Sequence, residues 1–223
     1  MAGELLSLHT MKNVSREVAI PVERVHLDGT VTIPPRACGL VLFAHGSGSG
    51  RRSPRNVFVA EALHEVGIAT LLFDLLTERE AADRRNVFEI ALLADRLRGA
   101  RAFVRDADLT TTLPIGYFGA STGAAAALVA AAGDPDVRAV VSRGGRPDLA
   151  VEALAQVIAP TLLIVGGEDF GVIELNQDAY ARMQCEKRLA IVPGATHLFE
   201  EPGTLQEVVR LASEWFLGHF PAG

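Results

Sequence analysis

The stretch Ile115-Gly116-Tyr117-Phe118-Gly119-Ala120-Ser121-Thr122-Gly123-Ala124-Ala125-Ala126-Ala127 changes character at one residue. Before Ser121 it is a short apolar run, the composition of a strand buried on both faces. After Ser121 it is rich in alanine, the composition of a helix that packs close to a sheet. A strand that enters a helix through a single residue turns sharply there, and the crowded turn tolerates only small neighbours two residues to either side. Gly119 and Gly123 supply them. A serine on such a turn projects its hydroxyl clear of the backbone, beside the free N–H groups and partial positive charge of the helix start. Gly-x-Ser-x-Gly in this setting, with a strand before it and a helix after it, is the pattern of a nucleophile.

Outward from that turn, short apolar runs alternate with longer segments of helical periodicity. This predicts an α/β fold, a mostly parallel central sheet with helices on both faces. Strands are expected at Leu40–Ala44, Ile68–Phe73, Ile115–Phe118, Val137–Val141, Thr161–Val165 and Arg188–Val192. At the N-terminal edge, Val18–Leu27 and Thr30–Ile33 flank Asp28-Gly29, a hairpin signal, so that edge is expected to be antiparallel. Ser53-Pro54 opens a helix to about Val66, and Ile90, Leu93, Leu97, Ala100 and Val104 recur at helical spacing across residues 86–105. The last helix is expected to start at Thr204, with Glu207 completing a capping box and Leu205, Val208, Ala212, Trp215 and Phe216 as its apolar stripe. About twenty residues separate the strands at 137–141 and 161–165, so no lid domain is expected between them. Without a repeat, a low-complexity segment or a linker, the chain reads as one domain over residues 1–223, with residues 1–15 loosely attached.

Composition narrows the function classes. Half the 223 residues are apolar, enough for one sizeable core. A net charge of −6 with no dense basic stripe argues against nucleic acid as a partner. No apolar stretch is long enough to span a membrane, because the alanine-rich run ends at Gly133-Asp134-Pro135, and the first residues carry no signal-peptide pattern. Cys38 and Cys185 have neither a metal-ligand spacing nor a disulfide framework, which fits a reducing compartment. The reading is cytoplasmic, with no metal and no organic cofactor.

A serine hydroxyl is a weak nucleophile until a positioned imidazole takes its proton. Of the six histidines, His9 lies in the loose start, His26 in the edge hairpin, His64 inside a helix and His219 at the chain end. His45 sits in a glycine-rich loop and reads as a residue that holds the turn. His197, in Pro193-Gly194-Ala195-Thr196-His197, follows a predicted strand on the side where ligands bind in such sheets, and is the candidate base. The acid that orients it belongs in the loop after the preceding strand, Val165-Gly166-Gly167-Glu168-Asp169. Asp169 is the choice there and Glu168 the fallback. His45-Gly46-Ser47-Gly48-Ser49-Gly50 follows an earlier strand, and its glycines let backbone N–H groups approach a substrate oxygen. The N–H groups of Ser47 and Thr122 are the expected oxyanion donors. A dinucleotide-binding turn fails on spacing, because Arg51 stands where its third glycine is needed.

These four elements in this order, HGSGSG, GASTG, GGED and GATH, resemble the α/β-hydrolase superfamily, and the small lidless build resembles its dienelactone hydrolase-like branch. The resemblance runs from about Val18 to Phe220. It implies Ser121 as nucleophile, Asp169 as acid, His197 as base, and Ser47 and Thr122 as oxyanion donors. Dienelactone hydrolases proper use a cysteine nucleophile where this chain has Ser121, and their oxyanion loop typically carries a glutamate where this chain has Gly46-Ser47. The implied activity is therefore cleavage of small carboxylic esters through an acyl-enzyme, not dienelactone turnover. A transacylase or perhydrolase would use the same triad. A binding module that kept the fold is the reading from another class, and an intact triad argues against it.

Arg51, Arg52, Arg55, Arg143 and Arg146 all fall on loops or helix starts of the predicted catalytic side. Arginine forks bind carboxylates in pairs of hydrogen bonds, which points to an anionic substrate held by Arg143 and Arg51. The alternative is that they pair with Asp74, Glu78 or Asp148 and shape the loops.

Overall fold

Six strands build the parallel part of the sheet, and the computed structural model describes residues 12–106 and 112–220. In chain order the strands are β1 (Val14–Val22), β2 (Val25–Ile33), β3 (Gly39–Ala44), β4 (Ile68–Phe73), β5 (Ile115–Ala120), β6 (Val137–Arg143), β7 (Thr161–Gly166) and β8 (Lys187–Val192). They lie side by side in the order β1-β2-β4-β3-β5-β6-β7-β8. The pairs β1–β2 and β2–β4 are antiparallel, and every pair from β4 through β8 is parallel. Strands β3, β5 and β7 are buried at every position, as a parallel sheet covered on both faces requires.

The helices are α1 (Pro54–Glu65), α2 (Glu78–Ala81), α3 (Ile90–Asp106), α4 (Thr122–Ala131), α5 (Val151–Leu154), α6 (Phe170–Arg182) and α7 (Thr204–His219). One face of the sheet is covered by α3, α4 and α6, with Leu97, Leu128 and Ala179 in the shared core. The other is covered by α1 and α7, which bury Val59, Leu63, Val208 and Phe216 against Val41, Phe118 and Ile164. Between β6 and β7 lie only a short 3-10 turn (Pro147–Ala150) and α5, and no lid domain intervenes. No helix of the described residues is long and apolar enough to cross a membrane. Residues 1–11 of the expected loose start lie outside the described residues, whereas Val14 and Ser15 already pair with Ile33 and Thr32 in β1.

Three local expectations are corrected. The hairpin turns at Glu23-Arg24, not at Asp28-Gly29, and Glu23 adopts φ 52° to close it. Core contacts fix this register: Ile20, Val22, Leu27 and Val31 all face inward. Gly29 sits mid-strand for space, since a Cβ there would come within 3.1 Å of Phe73 Cβ. The second correction concerns α7, whose preceding residue is Gly203 in the left-handed region and whose Glu207 binds Arg210 instead of capping. A capping box does form, at α2, where Thr77 and Glu80 exchange hydrogen bonds. The helix expected from residue 86 begins at Ile90, after a separate 3-10 turn over Asn86–Phe88.

Glu80 has a second partner, the buried guanidinium of Arg96 at 2.8 Å. Replacing Glu80 by Gln should cost about 2 kcal/mol in denaturant unfolding, because the buried charge keeps only the Val22 carbonyl at 3.3 Å and, as an ion-pair partner, the longer Glu23 contact at 3.6 Å. Glu207→Gln should change the unfolding midpoint little. Equal effects from the two would mean that Glu207 does cap its helix.

Candidate active site

Parallel strands point their C-terminal ends to one rim, and the candidate site residues lie there, on the loops leaving β3, β5, β6, β7 and β8 and, for Arg143, at the end of β6 itself. The rim lies where the chain, having laid β4 on one side of β3, returns to lay β5 on the other, the place where such sheets open a crevice. Ser121 joins β5 to α4 at φ 52° and ψ −120°. A non-glycine residue in that region is strained by about 1–2 kcal/mol. Three backbone hydrogen bonds hold it: the Ser121 N–H donates to Arg143 O (3.2 Å), and Ser121 O accepts from Ala124 N–H (3.1 Å) and Arg146 N–H (3.2 Å). Gly123 is a steric necessity, since a Cβ there would overlap the carbonyl oxygens of Ala44 and His45.

Asp169 precedes the first residue of α6, yet its carboxylate makes no capping bond. Its Oδ2 lies 2.6 Å from His197 Nδ1 instead. Glu168 is exposed, and among the described residues its carboxylate has no partner. The His197 loop reaches Asp169 because Gly166 lets the backbone at Ala195 and Thr196 press against the end of β7. Glu201 stitches that loop, accepting from the Thr196 hydroxyl (2.6 Å) and N–H (3.1 Å). The His197 ring packs against Gly144, where a Cβ would lie 3.5 Å from Nδ1 and Cε1. Gly144 directly follows Arg143, whose carbonyl holds Ser121. The Ser121 backbone and the His197 ring thus both meet the end of β6, and Asp169 reaches it through His197.

The glycine-rich loop after β3 is fixed from two sides. Arg51 N–H donates to Asp74 Oδ1 (2.8 Å), and Leu75 N–H donates to His45 Nε2 (3.0 Å). With Nε2 accepting, the ring hydrogen is on Nδ1, which donates to Gly46 O at 3.0 Å. Ser47 N–H points at residue 122 and donates to the Thr122 hydroxyl (3.0 Å). A substrate oxygen bound between the two N–H groups would share or displace that hydroxyl. Thr122 N–H, at the start of α4, has no acceptor among the described residues. Beside this loop opens a cavity of about 690 Å³. Gly46, Ser47 and Thr122 form one wall, and Leu75, Leu76, Val87 and Leu93 supply an apolar lining. Sequence reading missed Leu75, Leu76 and Val87, because residues 74–89 show no clean periodicity from which to place them.

The arginines divide. Arg51 is held by Glu17 (2.7 Å) and Asp74 (3.2 Å), Arg55 by Glu200 (2.8 Å) and Arg146 by Asp148 (2.7 Å). Arg52 is exposed on the cavity rim. Arg143 is buried and makes no ion pair among the described residues. No group of three or more histidine, cysteine, aspartate or glutamate side chains among the described residues is placed to hold a metal ion.

Residues 52–215 match the profile of the Dienelactone hydrolase family, a span that contains Ser121, Asp169 and His197. The chain belongs to the dienelactone hydrolase family. A solved dienelactone hydrolase from Anabaena variabilis is 55% identical, covers 94% of this chain and 99% of its own, and superposes with a TM-score of 0.92. A serine hydrolase without lid from Xanthomonas campestris shares the fold at 21% identity and a TM-score of 0.76, over 94% of this chain and 96% of its own. A Mycobacterium tuberculosis protein provisionally named a phosphoribosyl transferase is 58% identical over 205 residues, 91% of this chain. The chain spans 46% of that relative's length. The chain thus has the α/β-hydrolase architecture of its family.

Burial pushes the His45 pKa below its ordinary value, against smaller upward pulls from the Gly46 carbonyl and Asp74. The unfolded chain therefore protonates His45 at a higher pH than the fold does. Stability from the neutral ring is present above the ordinary imidazole range and is lost as pH falls through the window below it. Unfolding free energy should decline between roughly pH 7 and pH 5 in the wild type, and less steeply in His45→Gln. Parallel curves would exclude His45 as the titrating group. Gly123→Ala should abolish activity and lower the melting temperature, since the overlap is with backbone that cannot rotate away.

Proposed function

We propose that the protein is a serine esterase that cleaves small carboxylic esters through an acyl-enzyme. The observation that carries the reading is the 2.6 Å hydrogen bond between His197 Nδ1 and Asp169 Oδ2, formed where the His197 ring abuts the strand end that holds Ser121. That bond places the hydrogen on Nδ1 and leaves Nε2 free to accept a proton. Ser121 Oγ bonds to the ester carbonyl carbon as its proton passes to His197 Nε2. Negative charge on the carbonyl oxygen is met by the N–H groups of Thr122 and Ser47. Collapse of the adduct breaks the ester C–O bond, and His197 returns the proton to the leaving alkoxide. Water then attacks the acyl-enzyme, giving one proton to His197, and the acid departs as Ser121 regains that proton.

The cavity beside Ser47 and Thr122 supports a small-molecule substrate, with its apolar lining against the carbon chain. Both cysteines are free thiols, which supports a cytoplasmic setting. The phosphoribosyl transferase name belongs to a protein about twice as long and is not carried over, because the residues assembled here suit acyl transfer.

A fluorophosphonate probe should label one serine in the wild type and none in Ser121→Ala. Asp169→Asn should lower kcat roughly 10³–10⁴-fold with a modest change in KM, because tautomer control is lost and binding is not. With p-nitrophenyl esters as substrates for both variants, Glu168→Gln should be nearly silent. Retained labelling in pure Ser121→Ala, or a larger loss from Glu168→Gln, would refute the assignment.

A further inference from the structure

Arg143 ends β6, opposite Ala120 and one residue from the glycine that His197 packs on. Along β6, Ala139 and Val141 belong to the core under α1 and α7, and alternation sends the Arg143 side chain to that same side. It is 7% exposed. Among the described residues its guanidinium makes no ion pair or hydrogen bond, and Nη1 is wholly shielded without an acceptor. Burial, and then the cation of Arg55, push its pKa down to about 10. It remains a cation at neutral pH all the same.

The surroundings make this arrangement specific. Carboxylates are provided for Arg51, Arg55 and Arg146, but none reaches Arg143. Arg55 uses one terminal nitrogen on Glu200, while its Nε is buried and unpartnered. The first turn of α1 carries no acidic residue, and Ser53 does not cap it, so its positive end is uncompensated as well. A buried cation without a counter-charge is costly, and a fold keeps one where something else supplies the anion.

We propose that Arg143, with Arg55 Nε as a second donor, is the subsite for an oxyanion carried by the substrate, a carboxylate or a phosphate set apart from the ester that Ser121 attacks. The inference rests on the esterase reading for the word substrate, but the anion site itself does not. The planar fork of Arg143 suits either group through paired hydrogen bonds. Its backbone carbonyl holds Ser121 and the next residue packs against His197, so an anion at Arg143 would make charge on the substrate a determinant of specificity.

The experiment uses three esters of one alcohol that differ only in a terminal methyl, carboxylate or phosphate group. For the wild type, Arg143→Lys and Arg143→Met, kcat/KM is measured on each. The anionic-to-neutral ratio should fall tenfold to a hundredfold in Arg143→Met, and part-way in Arg143→Lys, which keeps the charge and loses the fork. Whichever anionic ester shows the larger fall identifies the group. In parallel, succinate and inorganic phosphate are titrated against Ser121→Ala with and without Arg143→Met, following the melting temperature. At least one should raise it only where Arg143 is present. Arg143→Met alone should melt no lower than wild type, because an uncompensated charge has been removed. An unchanged ratio together with no anion-induced shift overturns the proposal, and neutral-ester turnover in that case leaves the esterase reading standing. A marked drop in melting temperature for both Arg143 variants also overturns it, by making Arg143 a support of the fold. Anion binding that needs Arg143, with no turnover of any ester, would instead sink the esterase reading and keep the site.

Discussion

The backbone of Gly123 lies against the carbonyl oxygens of Ala44 and His45 so closely that no side-chain atom fits between them. Three elements meet in that contact: the end of β3, the glycine-rich loop that leaves it, and the first turn of α4. The approach brings the N–H of Thr122 and that of Ser47 to one place, and the hydrogen bond from Ser47 N–H to the Thr122 hydroxyl follows from it. It also dictates the strained conformation of Ser121, because a strand and a helix packed this tightly leave one residue in which to turn. The two sheet faces, each with its own core, make such strain affordable.

A second constraint runs through His45. Its ring spans from Gly46 O to Leu75 N–H and so ties the glycine-rich loop to the wall of the cavity. Asp74 repeats the link one residue earlier, through Arg51 N–H. Loop and cavity wall are thereby one unit, although the two segments are thirty residues apart between His45 and Leu75. Glu80 extends it inward, since the short α2 that it caps is anchored on buried Arg96 in α3. Polar groups in the interior therefore hold a surface feature in place, as satisfied buried networks do.

Much of this was legible in the residues, for identifiable reasons. Continuous apolar runs such as Leu40–Ala44 and Thr161–Val165 have a single reading when a helix pattern follows each, so the parallel sheet could be placed to within a residue or two. Gly-Ala-Ser-Thr-Gly was legible because sterics allow so little else there. The hairpin was misplaced because Asp28-Gly29 is a strong turn signal in isolation, while the glycine serves close packing against Phe73, a residue from a strand forty positions on. The cap of α7 was misread for a similar reason: Glu207 finds Arg210 one turn along its own helix, a competition that spacing does not reveal. Arg51 and Arg143 look alike in sequence. Only the fold separates a guanidinium clasped by Glu17 and Asp74 from one left without a partner.

Where the fold works against its own stability is itself informative. Four non-glycine residues among those described have positive φ: Glu23, Arg36, Ser121 and Phe199. Glu23 lies in a two-residue hairpin and Arg36 in the connection from β2 to β3, where a tight reversal explains the conformation. Ser121 and Phe199 also stand at tight turns, the second closed by a hydrogen bond from Phe199 N–H to Thr196 O (3.2 Å), but both of these lie at one rim. One is the junction of β5 and α4, and the other lies two residues past His197, buried beneath its loop. The unpaired guanidinium of Arg143 sits at the same rim, between them in the chain. Random drift would scatter such costs over the molecule, whereas selection for a site concentrates them. Ser121, Phe199 and the uncompensated charge of Arg143 gather at one rim of the sheet, the distribution expected if that rim holds the site proposed above.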